Sequence, residues 1–141
     1  MKNTLFTLLC LFSLTAPALA QTQPAAKEHR VVFHLATDDT LVYQMVIRQV
    51  NNILNVWPTA KIEVLANSLG ISMFRREGSK LEKPVQALTE KGVIFAVCQN
   101  SMRAMKLTKD DMLKQATYVP VGVAELVMKQ EDGWSYIKAG F

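Results

Sequence analysis

Cysteine is scarce in this sequence: 141 residues hold two, Cys10 and Cys98. Folds stapled by disulfides need several bridges to replace a missing core, so that class is excluded. Glycine and proline are few, at six and five, which excludes a collagen-like or low-complexity chain. No apolar run reaches the roughly 20 residues that span a bilayer, so no permanent membrane helix is expected. Basic residues are spread out, with Arg75-Arg76 the only adjacent pair, and nothing forms the clustered stripe that neutralises several phosphates. Nucleic acid is not an expected partner. G-x-S-x-G, H-E-x-x-H and C-x-x-C are absent, as is a glycine-rich phosphate loop. The sequence therefore offers no nucleophile elbow, zincin site, thioredoxin-type pair or nucleotide cradle, and no cofactor is expected.

What is present is a hydrophobic half of the chain, 50% of residues, beside 20% charged residues, the profile of one globular domain. Part of that apolar content lies outside the core. Lys2 and Asn3 precede the apolar run Leu5 to Leu14, and Ala18-Leu19-Ala20 is a small-x-small cleavage pattern. Residues 1–20 read as a secretory signal peptide cut after Ala20, which places the mature protein in the periplasm or outside the cell. Cys10 sits inside the apolar run and not at the cleavage point, so a lipoprotein is not expected. Without residues 1–20 the chain keeps one cysteine, Cys98, and 15 Lys+Arg against 12 Asp+Glu. Residues 21–29 are polar and read as a flexible leader, with His29 in solvent. Residues 30–141 form the domain, long enough to bury a core without metal or disulfide.

Within the domain, strands and helices alternate. Val31 to Leu35 is a β-branched apolar run typical of a strand covered on both faces. Asp38, Asp39 and Thr40 offer capping oxygens to a helix whose apolar positions, Val42 to Trp57, recur at spacings of three and four, and Pro58 ends it. Lys61 to Ala66 alternates as a second strand, and Asn67 to Gly70 turns. Pro84 and Gly92 bracket a helix over 82–91. Val93 to Val97 is the most hydrophobic run and the best candidate for a central strand. Thr108 and Asp111 make a capping-box pattern. Tyr118 to Val121, Val123 to Gln130 and Trp134 to Ile137 then read as strand, helix and strand, with Gly122 a turn. The expected fold class is α/β: a single three-layer α/β/α domain with a five-stranded, mainly parallel sheet.

In such sheets ligands bind beyond the carboxyl ends of the strands. Cys98 lies on that edge. A thiol between a strand and a helix N-terminus meets free N–H groups that favour the thiolate, whereas a cysteine ending a strand can equally be a small buried hydrophobe. Both readings stay open on position alone. His34 ends the first strand and could neighbour the thiol, although a strand-end histidine is commonly only hydrogen-bonded. Asp38 and Asp39 are better explained as caps than as a metal site, and no metal is expected. Cys98, Met102 and Met105 share a spacing suited to Cu(I) on a helix begun early, but methionines at that spacing normally fill a core.

Three segments carry a family resemblance: Gly92-Val93-Ile94-Phe95-Ala96-Val97-Cys98-Gln99-Asn100-Ser101-Met102, Tyr118-Val119-Pro120-Val121-Gly122-Val123-Ala124-Glu125-Leu126 and Gly133-Trp134-Ser135-Tyr136-Ile137-Lys138. Together they resemble the DsrE/DsrF-like family. The resemblance implies the five-stranded parallel sheet, assembly into trimers or hexamers, and, as in sulfur-relay members, a cysteine carrying sulfur as a persulfide. Cys98 matches that cysteine. The expected function is thus an exported, sulfurtransferase-like sulfur carrier with Cys98 as nucleophile, exchanging sulfur with a donor or acceptor thiol or protein. In that reading the amides of Asn100 and Ser101 stabilise the thiolate, and His34 and Asn67 line the pocket. Two other readings compete: a non-catalytic oligomeric binding module with a structural Cys98, and a thiol redox sensor that dimerises through it.

Overall fold

The computed structural model describes residues 28–140. The signal peptide expected over residues 1–20 and all but the last two residues of the expected leader lie outside them. The elements run β1 (Arg30–Leu35), α1 (Thr40–Val56), β2 (Lys61–Ala66), a 3-10 helix (Ser68–Phe74), α2 (Glu82–Glu90), β3 (Ile94–Cys98), α3 (Gln99–Ala104), a 3-10 turn (Lys109–Asp111), β4 (Ala116–Val119), α4 (Gly122–Glu131) and β5 (Ser135–Lys138). The five strands form one parallel sheet in the order β4-β3-β2-β1-β5. The expected fold class is thereby found.

Connection handedness decides where the helices lie. The steps from β1 through β2 and β3 to β4 all move the same way across the sheet, so right-handed crossovers put α1, α2 and α3 on one face. Val42, Val46 and Val50 of α1, Val85 and Leu88 of α2 and Met102 of α3 all join the main buried cluster with Phe33, Val64 and Phe95. From β4 the chain steps back past three strands to β5, and the same handedness carries α4 over the opposite face. There Leu126 meets Val32, Leu65 and Ala96. The three layers are unequal. Five α1 residues are buried, whereas in α4 only Gly122 and Leu126 are. One buried leucine supplies roughly 1.5–3 kcal/mol, so α4 is the lightly anchored layer.

Local signals explain most boundaries. Asp39 caps α1, its Oδ1 accepting the Leu41 N–H at 2.8 Å. The helix ends at Val56, just ahead of Pro58. Gly92 adopts φ +87°, a left-handed conformation that lets the chain leave α2 and enter β3. Thr108 and Asp111 form their bond as expected, the Thr108 N–H donating to Asp111 Oδ2 at 2.7 Å.

Several expectations are displaced. The fourth strand is Ala116–Val119 and not 118–121, because Pro120 has no N–H to extend the ladder with β3. Gly122 is the first residue of α4 and not a separate turn. β3 lies inside the sheet between β2 and β4, while β2 takes the middle. His29, expected in solvent, stacks on Trp57 with ring centroids 3.9 Å apart. Alternation in β2 suggested a polar face, yet Glu63 is 2% exposed beneath α4. Its Oε2 accepts from Lys129 Nζ at 2.7 Å, and the ammonium lies 4.3 Å from the Trp134 ring centroid. A cation from the covering helix thus replaces the water that the carboxylate loses.

Candidate functional site

β3 is followed by α3 on one face of the sheet, and its neighbour β4 by α4 on the other. Adjacent strands whose connections part in this way open a crevice at their carboxyl ends. Cys98 ends β3 at that point, paired with Val119 of β4, and serves as the residue capping α3. It is 4% exposed. Its Sγ accepts the backbone N–H of Gly122 at 3.2 Å, so the first turn of α4 is fastened to the sulfur. Gly122 packs tightly here: a Cβ would lie 3.1 Å from Cys98 Cβ, 3.1 Å from Asn67 Cβ and 3.5 Å from the sulfur, so the first two neighbours would have to give by a few tenths of an ångström.

Burial by itself pushes the Cys98 thiol up. The Ser101 hydroxyl and the N–H groups of Ser101, Gly122 and Asn100 outweigh it and hold the thiol below its ordinary value. Ser101 Oγ accepts the Ser68 N–H at 2.7 Å, which ties the 3-10 helix after β2 to α3 and leaves the hydroxyl proton for the sulfur. An open cleft of about 390 Å3 lies over this group. Asn67, Ser68, Asn100 and Ser101 give it polar positions, and Leu69, Met105, Val121 and Val123 give it apolar walls.

The structure brings Cys98, Asn67, Asn100 and Ser101 to this one cleft and leaves His34 behind it. His34 Nε2 bonds Asn67 Oδ1 at 3.0 Å, and Nδ1 bonds the Tyr136 hydroxyl at 2.8 Å. With both nitrogens engaged, the ring orients its neighbours and is not placed to take a proton from Cys98. The Asn100 side chain accepts from Arg103 Nη2, so it is the Asn100 amide that serves the sulfur. Met102 is buried in the main cluster, and Met105 packs against that cluster while also lining the cleft, so both methionines serve as packing side chains. Ser68 and Gly122 lie in strand-end turns expected on the ligand-binding edge, but their roles at the sulfur were not legible, and Tyr136 was not legible as a site residue at all. Gly122 was visible as the glycine of the Pro120-Val121-Gly122 turn on the ligand-binding edge, within the second segment of the family resemblance.

A second cleft, of about 360 Å3, lies between the start of α1 and residues 72–81. Tyr43 faces it with a buried hydroxyl beside Ser72. Burial, with Asp38 and Asp39 nearby, pushes that phenol up to about 12 against a small opposing pull from Ser72. It offers a weak acid and no nucleophile.

The model of the DsrE/DsrF-like family matches residues 48–139, a span that includes β2 to β5 and the whole Cys98 cleft. This chain belongs to the DsrE/DsrF-like family. A solved protein of unknown function from Methanobacterium thermoautotrophicum is 37% identical, with a TM-score of 0.75 over 79% of this chain and 99% of its own. The ychN protein of E. coli, 11% identical, has a TM-score of 0.65 over 79% of this chain and 99% of its own. A conserved protein of unknown function from Bacteroides thetaiotaomicron, 12% identical, has a TM-score of 0.61 over 77% and 93%. The last two show the DsrE/DsrF-like fold alone. No curated protein matches the sequence.

Proposed function

We propose that this DsrE/DsrF-like protein is an exported, sulfurtransferase-like sulfur carrier that holds sulfane sulfur as a persulfide on Cys98. The observation that carries the reading is the sulfur of Cys98 accepting the Gly122 N–H at the strand switch point, beside the Asn100 and Ser101 amides. A thiolate so held attacks the outer sulfur of a polysulfide or persulfide donor. The new Sγ–S bond forms as the donor's S–S bond breaks, and the donor remnant leaves as a thiolate with the electron pair. Attack on the outer sulfur by an acceptor thiolate then releases Cys98 as thiolate. No outside oxidant or reductant is needed. The cleft provides space for the second sulfur.

Export rests on the signal-like pattern of residues 1–20. Homo-oligomer formation, as a trimer or hexamer, is favoured by the exposed valines one turn apart on α4: Val123 is 60% exposed and Val127 47%. Contiguous apolar surface of this kind marks an interaction site.

The test is intact mass after exposure to polysulfide. One added sulfur atom is expected in the wild type and none in Cys98→Ser; equal uptake in both would sink the carrier reading. Light scattering on the eluted protein checks for three or six copies. The 4% exposure of Cys98 favours one competing reading, a binding module with a structural cysteine. That reading expects a thiol reactive only on unfolding and full tolerance of Cys98→Ala. The same burial works against a disulfide-linked sensor dimer.

A further inference from the structure

Three residues from three neighbouring segments form a hydrogen-bonded row along the carboxyl edge: Tyr136 on β5, His34 on β1 and Asn67 just after β2. Its polarity follows from what each atom can do. Asn67 Oδ1 only accepts, so His34 Nε2 carries the proton at 3.0 Å. In the neutral ring Nδ1 must then accept, and Tyr136 donates its O–H at 2.8 Å. β2 lies between β1 and β3. The oxygen of the Asn67 amide is therefore engaged on the β1 side, which leaves its NH2 for the cleft shared with Cys98.

The thiol sulfur does not use that NH2. Its N–H donors are Gly122, Ser101 and Asn100. A persulfide places a second, charge-bearing sulfur about 2 Å farther out, away from those amides and into the cleft that Asn67 borders. We infer that His34, bonded on its other nitrogen to Tyr136, is a positioning residue that holds the Asn67 amide with its NH2 toward the outer sulfur of a Cys98 persulfide. This rests on the carrier reading and adds to it a division of labour: backbone amides hold the inner sulfur and Asn67 the outer one. An anionic outer sulfur in turn favours this orientation over the flipped amide, which would present its carbonyl.

Two measurements on the purified protein separate this role from a merely structural one: the fraction persulfidated at a fixed polysulfide concentration, by intact mass, and the pH profile of Cys98 alkylation. His34→Ala is expected to lower the loading equilibrium about tenfold, the loss of one hydrogen bond to an anion, with an alkylation profile like that of the wild type. His34→Gln, whose amide NH2 can replace the Nε2–H, is expected to restore loading. Tyr136→Phe is expected to have a smaller effect, because water can reach Nδ1 at that exposed bond. Equal loading by His34→Ala and wild type would overturn the inference and leave the carrier reading standing. A shifted alkylation profile in His34→Ala, not rescued by glutamine, would overturn it too, by showing that the ring supports the thiolate shell as a whole. A wild type that takes up no sulfur overturns the carrier reading and this inference with it.

Discussion

Gly122 donates its backbone N–H to the sulfur of Cys98 at 3.2 Å, across 24 residues of sequence and from the opposite layer of the domain to α3. A residue with a side chain cannot stand there without displacing one partner, since its Cβ would press on both Cys98 and Asn67. Gly122→Ala is expected to cost about 1–3 kcal/mol in a denaturant titration, the usual range for overpacking. The same substitution loosens the N–H from the sulfur, so the Cys98 alkylation profile should move to higher pH. A profile unchanged beside a lowered stability would show that the bond contributes nothing to the thiolate.

Ser101→Ala removes a hydroxyl that favours the thiolate and leaves the backbone amides in place. Burial, which opposes ionisation, then meets less resistance, and the alkylation midpoint rises. The linkage has a definite sign. A depressed folded-state thiol contributes stability that is present above the unfolded value and lost as pH falls through the folded one. The wild type should therefore gain stability on the alkaline side of its thiol titration, and Ser101→Ala should gain less. Urea midpoints compared between pH 7 and pH 9 measure this.

Glu63 and Lys129 give a second titration with the opposite sign. Burial pushes the Glu63 carboxyl up despite its bond to Lys129. Stability from this group is full below the unfolded carboxylate value and is lost as pH rises through the folded one. Glu63→Gln should flatten that slope in mildly acidic buffer. Lys129→Met, which strands a carboxylate whose second oxygen already lacks a partner, should cost about 3 kcal/mol at neutral pH. Thermal melts across the acid range read both effects.

Gly70 approaches the end of β1 so closely that a Cβ would lie 2.2 Å from the Leu35 carbonyl oxygen. The atoms it would meet, the Leu35 carbonyl and the Ala36 nitrogen, are all backbone, so none can swing aside. Gly70→Ala is expected to lose on the order of 3 kcal/mol and to disturb the 3-10 helix that carries Ser68. A chemical denaturation midpoint like that of the wild type would contradict this.

The sequence was most legible where one local signal sufficed. α1 announced itself through apolar spacing, the Asp39 cap and Pro58, and Cys98 could be placed on the ligand-binding edge from the hydrophobic run before it. α3 has six residues, too few for a periodic stripe, so its start at Gln99 was left implicit. β4 began two residues earlier than its apolar pattern, because Ala116 is small and Thr117 polar, so neither extends the apolar run that marked the strand. The partners of the site were hidden for a different reason. Tyr136 reaches His34 across 102 residues only because β5 pairs with β1, and that pairing follows from sheet order. Gly122 reaches Cys98 for the same kind of reason. Glu63 misled because alternation reports polarity and does not say whether a lysine waits on the covering helix.

The sulfur also acts as a clasp between the two outer layers of the domain, with N–H groups of α3 on one side and of α4 on the other. Coupling of this kind is reciprocal. Loss of the thiol proton strengthens the acceptor and seats α4 more firmly, and lifting α4 makes the proton harder to lose. Since α4 buries one large side chain, Leu126, its seating is more easily altered than that of α1, which buries five. A surface pressing on the exposed Val127 would thus set the nucleophilicity of Cys98 from outside the cleft, without touching the sulfur.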